Sequence, residues 1–186
     1  MAGDGSREYN LHWELINKCR RHDKDAQFEI YKLYYKAMFN TSLRIVGSKA
    51  EAEDIMQESF LSAFSKINAY KGDVSFGAWL KRIVINKSID CLRKRKAGFE
   101  VIIDDIKDEY YEQELNEQEI DHEFIERIKK AINELPEGYR IVLSLNLLEG
   151  YDHQEISQIL NITESGSRSQ FVRARRKLLD ILNNNR

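Results

Sequence analysis

The residues best suited to chemistry are basic and crowd the C-terminal segment. Arg168, Arg173, Arg175, Arg176 and Lys177 face a single acid, Glu164, and Arg168, Ser169, Val172 and Arg173 recur at helical spacing. A guanidinium donates two parallel hydrogen bonds to a guanine edge, and such a pair discriminates bases by roughly 1–3 kcal/mol. Arg168, Ser169, Val172 and Arg173 are therefore candidates to read a major groove. Arg175, Arg176 and Lys177 lie farther along and suit phosphates, which position a protein without specifying sequence. The competing reading is a basic amphipathic helix that is only solvated. A second basic run, Lys81, Arg82, Lys87, Arg93, Lys94, Arg95 and Lys96, shares its segment with Trp79 and Asn86. Cations beside aromatic rings suit single-stranded nucleic acid, whose bases stack or enter pockets. Trp79 also opens an apolar stripe, so a core role competes with stacking. Asp54, Gln57 and Glu58 fall on one polar helical face, where plain solvation is the simpler reading.

Other chemistries find little support. Cys19 and His22 are three apart, but His12, His122 and His153 are scattered, and no group supplies the convergent ligands that zinc prefers. No glycine-rich phosphate loop or nucleophile motif occurs. No catalytic residue, metal or cofactor is expected. Two cysteines far apart in helical patterns suggest reduced thiols. No apolar run reaches membrane-spanning length, so no membrane insertion is expected. The polar N-terminus lacks the apolar stretch of a signal peptide. A cytoplasmic location follows as the expectation.

The elements that must hold these residues are helical. Among 186 residues, 42% are hydrophobic and 32% charged, with one proline. Glu, Lys, Leu, Ile and Arg dominate, which favours an all-α chain. A short helix is expected over residues 11–20. Phe28, Tyr31, Tyr35, Met38, Ser42 and Ile45 mark one face of the next. Ser48 and Glu51 suggest a capping box before a helix burying Ala52, Ile55, Ser59, Phe60, Ala63 and Ile67. Residues 68–75 read as a loop. A helix over 76–95 carries Trp79, Ile83, Asn86, Ile89 and Leu92 near one stripe. Acids then dominate residues 100–126, and residues 98–121 read as an acidic linker, partly disordered when the protein is free. Periodicity returns at Phe124, Ile128, Ala131, Ile132 and Leu135 and stops at Pro136. A short helix at 154–160, a turn through Asn161 to Thr163 and a basic helix from Glu164 form a helix-turn-helix layout. Asn161 tolerates a left-handed helix end, and Thr163 suits an N-cap. The net charge of −2 is thus a cancellation between two basic segments and an acidic one.

At this point the chain resembles a known family, the extracytoplasmic-function (ECF) sigma factors of bacterial RNA polymerase. The run Ala52-Glu53-Asp54-Ile55-Met56-Gln57-Glu58-Ser59-Phe60 is similar to the segment that grips the polymerase beta-prime clamp helices. The run from Phe76 to Asn86 resembles the helix that meets the melted minus-ten element. Leu135 to Arg140, Glu149 to Tyr151, Glu155-Ile156 and Ile162 to Leu178 resemble the domain that reads the minus-thirty-five element. The resemblance spans residues 28–182. It implies domain 2 at 11–97, the linker at 98–121 and domain 4 at 122–186. Asp54, Gln57 and Glu58 would contact polymerase, and the beta flap would be a further polymerase contact. The loop with Tyr70 and Lys71 would hold a flipped-out base, with Lys81, Arg82, Asn86, Lys87 and Arg93 along the same strand. Gly166, Ser167, Arg168, Ser169, Val172, Arg173, Arg176 and Lys177 would meet the upstream promoter DNA. The linker would pass near the active-site cleft and RNA exit path. The family's Gly-Thr-hydrophobic-basic run is here Ser165-Gly166-Ser167-Arg168, which puts the promoter sequence in doubt. No additional C-terminal sensory domain is evident, so control is expected from a partner, typically a membrane-bound anti-sigma factor. A helix-turn-helix regulator of another family would explain the C-terminal half but not the paired N-terminal motifs. The two differ in whether activity requires core polymerase.

Overall fold

The computed structural model describes residues 12–95 and 122–184, and every regular element among them is helical. The chain divides into two units, Met1–Ala97 and Gly98–Arg186. The linker assigned to residues 98–121, with its acids and Val101 to Ile103, lies outside the described residues.

The first unit holds helices α1 (Trp13–Arg20), α2 (Lys24–Val46), α3 (Lys49–Ser65) and α4 (Phe76–Arg95), with a 3-10 turn at Ile67–Ala69. The helix ends follow from local chemistry. The Asp23 carboxylate accepts from the Ala26 N–H at 3.0 Å and starts α2. Gly47, at φ +76°, closes it in the left-handed conformation that glycine adopts freely. Ser48 accepts from the Glu51 N–H at 3.4 Å. The expected reciprocal half of that capping box is replaced by a tertiary contact, because the Glu51 carboxylate meets Arg95 of α4 at 3.0 Å.

Helix α2 packs against α1, α3 and α4 around Ile16, Ile30, Met38, Phe60, Leu80 and Val84. The face expected for α3 is the buried one: Ala52, Ile55, Ser59, Phe60 and Ala63, with Ile67 in the following turn. Two faces differ from expectation. Phe28 is 58% exposed, its ring covered on one side by the Lys32 ammonium 5.0 Å away, while Ala26 and Ile30 turn inwards. On α4 the buried set is Phe76, Leu80, Val84, Ile85, Ser88, Ile89 and Leu92, so Asn86 stands in solvent. The two helices packed against it, α2 and α3, pull the inward face of α4 away from the stripe that begins at Trp79. Where α2 crosses α4, buried Ser42 and Ser88 share a 3.0 Å hydrogen bond.

The second unit comprises α5 (His122–Glu134), α6 (Glu137–Leu143), a π-helical turn at Ser144–Leu148, α7 (His153–Leu160) and α8 (Glu164–Asn184). Pro136, at φ −50°, separates α5 from α6. Ile132, Leu135, Leu143 and Ala174 form the core, flanked by Ile128, Tyr139, Leu178 and Ile181. Gly150, at φ +80°, turns the chain into α7.

Candidate nucleic-acid interface

Helices α7 and α8 are joined by a tight, fully specified turn. Asp152 accepts from the Glu155 N–H at 2.8 Å, and Glu155 accepts from the Asp152 N–H at 3.0 Å, a complete capping box. Asn161 takes the left-handed conformation, φ 58° and ψ 49°, and ends α7. Thr163 then accepts from the Gly166 N–H at 3.0 Å and starts α8. Ile156 and Leu160 are buried, and Ile159 and Ile162 are half-buried. The layout is a helix-turn-helix with α8 in the recognition position.

The outward face of α8 carries Ser165, Arg168, Ser169 and Arg176, all exposed, with Val172 half-buried among them. Arg173 is half-buried at the edge of that face and Lys177 is exposed. Arg168 is held by Glu164 at 2.6 Å, an exposed pair that a phosphate or base can displace at little cost. Gly166 and Ser167 do not belong with these residues. Both are buried, and Ser167 faces α7, where its hydroxyl meets His153 Nδ1 at 2.9 Å. The Ser167 side chain is turned into the unit, and Gly166 has none. Ser165 occupies the outward position instead, one residue earlier. An amphipathic count anchored on buried Gln170 and Ala174 would have found it.

In the first unit, the loop before α4 is organised from within. Tyr70 is buried, and its hydroxyl donates to the Val74 carbonyl at 2.7 Å. Its ring packs on Phe76 and Trp79 at 5.4 Å each, edge-on to the former. Tyr70 is thus a scaffold for the loop, its hydroxyl committed to the Val74 carbonyl. Trp79 is half-buried in the same aromatic cluster. Lys71 is exposed on the loop. Gly77 permits the approach of Tyr34, whose Cε1 would lie 2.9 Å from any added Cβ. Ser75 accepts from the Ala78 N–H at 3.2 Å and begins α4.

Arg82, Asn86 and Arg93 share an exposed face of α4. Lys81 is half-buried to one side. Lys87 points to the other side and pairs with Glu58 of α3 at 3.3 Å. Asp54, Gln57 and Glu58 project from α3, with Leu61 one turn on and 71% exposed. Sequence periodicity missed Leu61, although a leucine off the buried face was its signal.

Residues 30–98 match the family described as Sigma-70 region 2, and residues 125–178 match Sigma-70, region 4. The ECF RNA polymerase sigma factor SigM of Bacillus subtilis is 32% identical over 155 residues, covering 83% of this chain and 94% of the relative. The chain belongs to the ECF sigma factors. SigW of the same bacterium is 29% identical over 179 residues, covering 88% and 92%. The structure of CnrH, in complex with the cytosolic domain of CnrY, superposes with TM-score 0.55 at 20% identity, covering 92% of this chain and 97% of CnrH. The RpoE structure from Bartonella quintana, in complex with the anti-sigma factor NepR, gives TM-score 0.55 at 23% identity, covering 85% and 97%. Both share the fold. A sigma factor gives RNA polymerase its promoter specificity, and this one carries its helix-turn-helix in the region 4 segment and its aromatic loop in the region 2 segment. Among the described residues no helix is long and apolar enough to cross a membrane. No cluster of metal-ligating side chains occurs among them.

Proposed function

We propose that this sigma factor divides its labour between the two units. Domain 2, residues 11–97, docks on the beta-prime clamp helices through Asp54, Gln57 and Glu58, with Leu61 as an apolar contact at the centre. Its Lys71 loop and the Arg82, Asn86 and Arg93 face of α4, flanked by Lys81 and Lys87, hold the unpaired minus-ten strand. Domain 4, residues 122–186, reads the minus-thirty-five duplex with Ser165, Arg168, Ser169, Val172 and Arg173. Arg176 and Lys177 meet phosphates. Leu147 and Leu148, both exposed on the π-helical turn, give this unit an apolar surface for the beta flap. The acidic linker joins the two domains across the polymerase. RNA synthesis belongs to the polymerase, and the sigma factor itself is no enzyme. It works in the cytoplasm under an anti-sigma factor, a partner of the kind that RpoE of Bartonella quintana meets in NepR.

The outward face of α8 carries the reading, because it gathers guanidiniums on a helix held in recognition position. The test is equilibrium binding of the full chain to core RNA polymerase, with Asp54→Lys/Glu58→Lys as the control. Tight binding that the variant loses supports the assignment. A folded chain that ignores polymerase but selects a duplex alone would instead be an independent helix-turn-helix regulator.

A further inference from the structure

His153 opens α7 and reaches across to the recognition helix. Its Nδ1 shares a 2.9 Å hydrogen bond with Ser167 Oγ, and its ring stands edge-on to Phe171 at 5.4 Å. Ser167 is fully buried, so this bond fixes one azimuth of α8 about its own axis. That azimuth decides which side chains face the DNA, and Arg168 follows Ser167 directly.

The surroundings of the imidazole are charged. Arg168 and Glu164 face it from α8, and Asp152 from its own N-cap. The adjoining π-helical turn, Ser144–Leu148, carries no titratable side chain. Burial and the Arg168 guanidinium hold His153 below its ordinary pKa, against the smaller opposing pull of Glu164 and Asp152. A cation in the first turn of α7 is disfavoured by the helix dipole as well. Of these effects, the one from Arg168 weakens when the duplex engages its guanidinium. The polyanion cancels the charge that opposes protonation, and linkage then requires that protonation favour binding.

We propose that His153, through Ser167, is a positioning residue for the recognition helix and that duplex binding draws a proton onto its imidazole. The proposal rests on the assignment of α8 to duplex DNA. Affinity for the upstream duplex therefore rises as pH falls, even though the unbound unit disfavours the charged ring.

The test uses the full chain with core RNA polymerase. A duplex is selected from a random-sequence pool by the wild-type holoenzyme. Dissociation constants for it are measured from about pH 8 to about pH 5.5 at fixed salt, bracketing the histidine range. His153→Gln and His153→Tyr each keep a hydrogen-bonding group but exchange no proton in that range. Using both, with a melting curve for each, prevents a folding defect in one from deciding the outcome. Wild-type affinity should gain on both variants as pH falls, by up to about tenfold per pH unit, the limit for one linked proton. Ser167→Ala should weaken binding severalfold at every pH while keeping the wild-type slope. Parallel pH curves for wild type and the two His153 variants would overturn the proposal and leave the sigma assignment standing. Failure of the wild-type holoenzyme to select any duplex would remove that assignment, and the proposal with it.

Discussion

At the scale of single residues, Gln170 is the least expected feature of the second unit. It is buried on α8, and neither its amide oxygen nor its amide nitrogen has a hydrogen-bond partner among the described residues. Burying an unpaired amide costs roughly 1–3 kcal/mol. Gln170→Met, of similar shape, should raise the stability of this unit by about 1 kcal/mol or more in urea unfolding. An unchanged midpoint would mean that the amide is solvated. His153 makes an opposite, pH-dependent contribution. Its folded-state pKa is depressed, so its contribution is present above about 6.5 and is lost as pH falls through the lower folded value. The melting temperature of the wild type should fall relative to that of His153→Gln as pH drops below about 6.5. A constant difference would show that the ring titrates normally. Residue types were legible at this scale, whereas azimuths were not. The exposure of Arg168 and Ser169 could be read from charge and spacing alone. The burial of Ser167 and Tyr70 could not be read, because a serine or tyrosine suits either an exposed face or a buried bridge until its neighbours are known.

At the scale of elements, the helix-turn-helix was legible because its signals are local. Asn161 and Thr163 act through bonds to residues three or four positions away, and the structure places each as its chemistry requires. The capping box sits at Asp152 and Glu155, where the same pattern of an acceptor followed three residues later by glutamate was present. At Ser48 and Glu51 an identical pattern gave only half a box, because Arg95 from another helix competes for the glutamate. That competitor is 44 residues away and invisible to local reading. The π-helical turn has no recognised sequence signal at all. Asp152→Ala removes an acceptor from the start of α7 and should cost about 1 kcal/mol of stability, read as a lower urea midpoint. Because α7 sets α8, the same change should weaken duplex binding while binding to polymerase persists. Loss of both would mean that the second unit, through the apolar surface of its π-helical turn, carries much of the polymerase binding.

At the scale of the whole molecule, the near-zero net charge conceals a division that governs DNA binding. Basic side chains gather on α4 and on α8, in separate units with separate cores. Polymerase contacts assigned to α3 and duplex contacts assigned to α8 therefore lie in different cooperative units, and their variants should affect different steps. Duplex binding should also depend steeply on salt, since each phosphate neutralised by a cation releases a counterion and contributes about 0.9 to the log–log slope. Arg168 and Arg173 serve this step in two ways, as base readers and as charges. If both face bases only, Arg168→Gln/Arg173→Gln should relax sequence preference with the slope nearly unchanged. If both also neutralise phosphates, the slope should fall by about 1.8. Their places on α8 favour a mixed outcome. Arg168 lies on the outward face beside Ser169, suited to a base, and half-buried Arg173 lies at its edge, suited to the backbone. The expected fall is about one unit, carried by Arg173, with the loss of preference carried by Arg168. Measuring holoenzyme affinity for a selected duplex across a salt series, for each single variant, separates the two. A slope change carried by Arg168 instead would reverse their roles and rotate the docked helix towards its opposite edge.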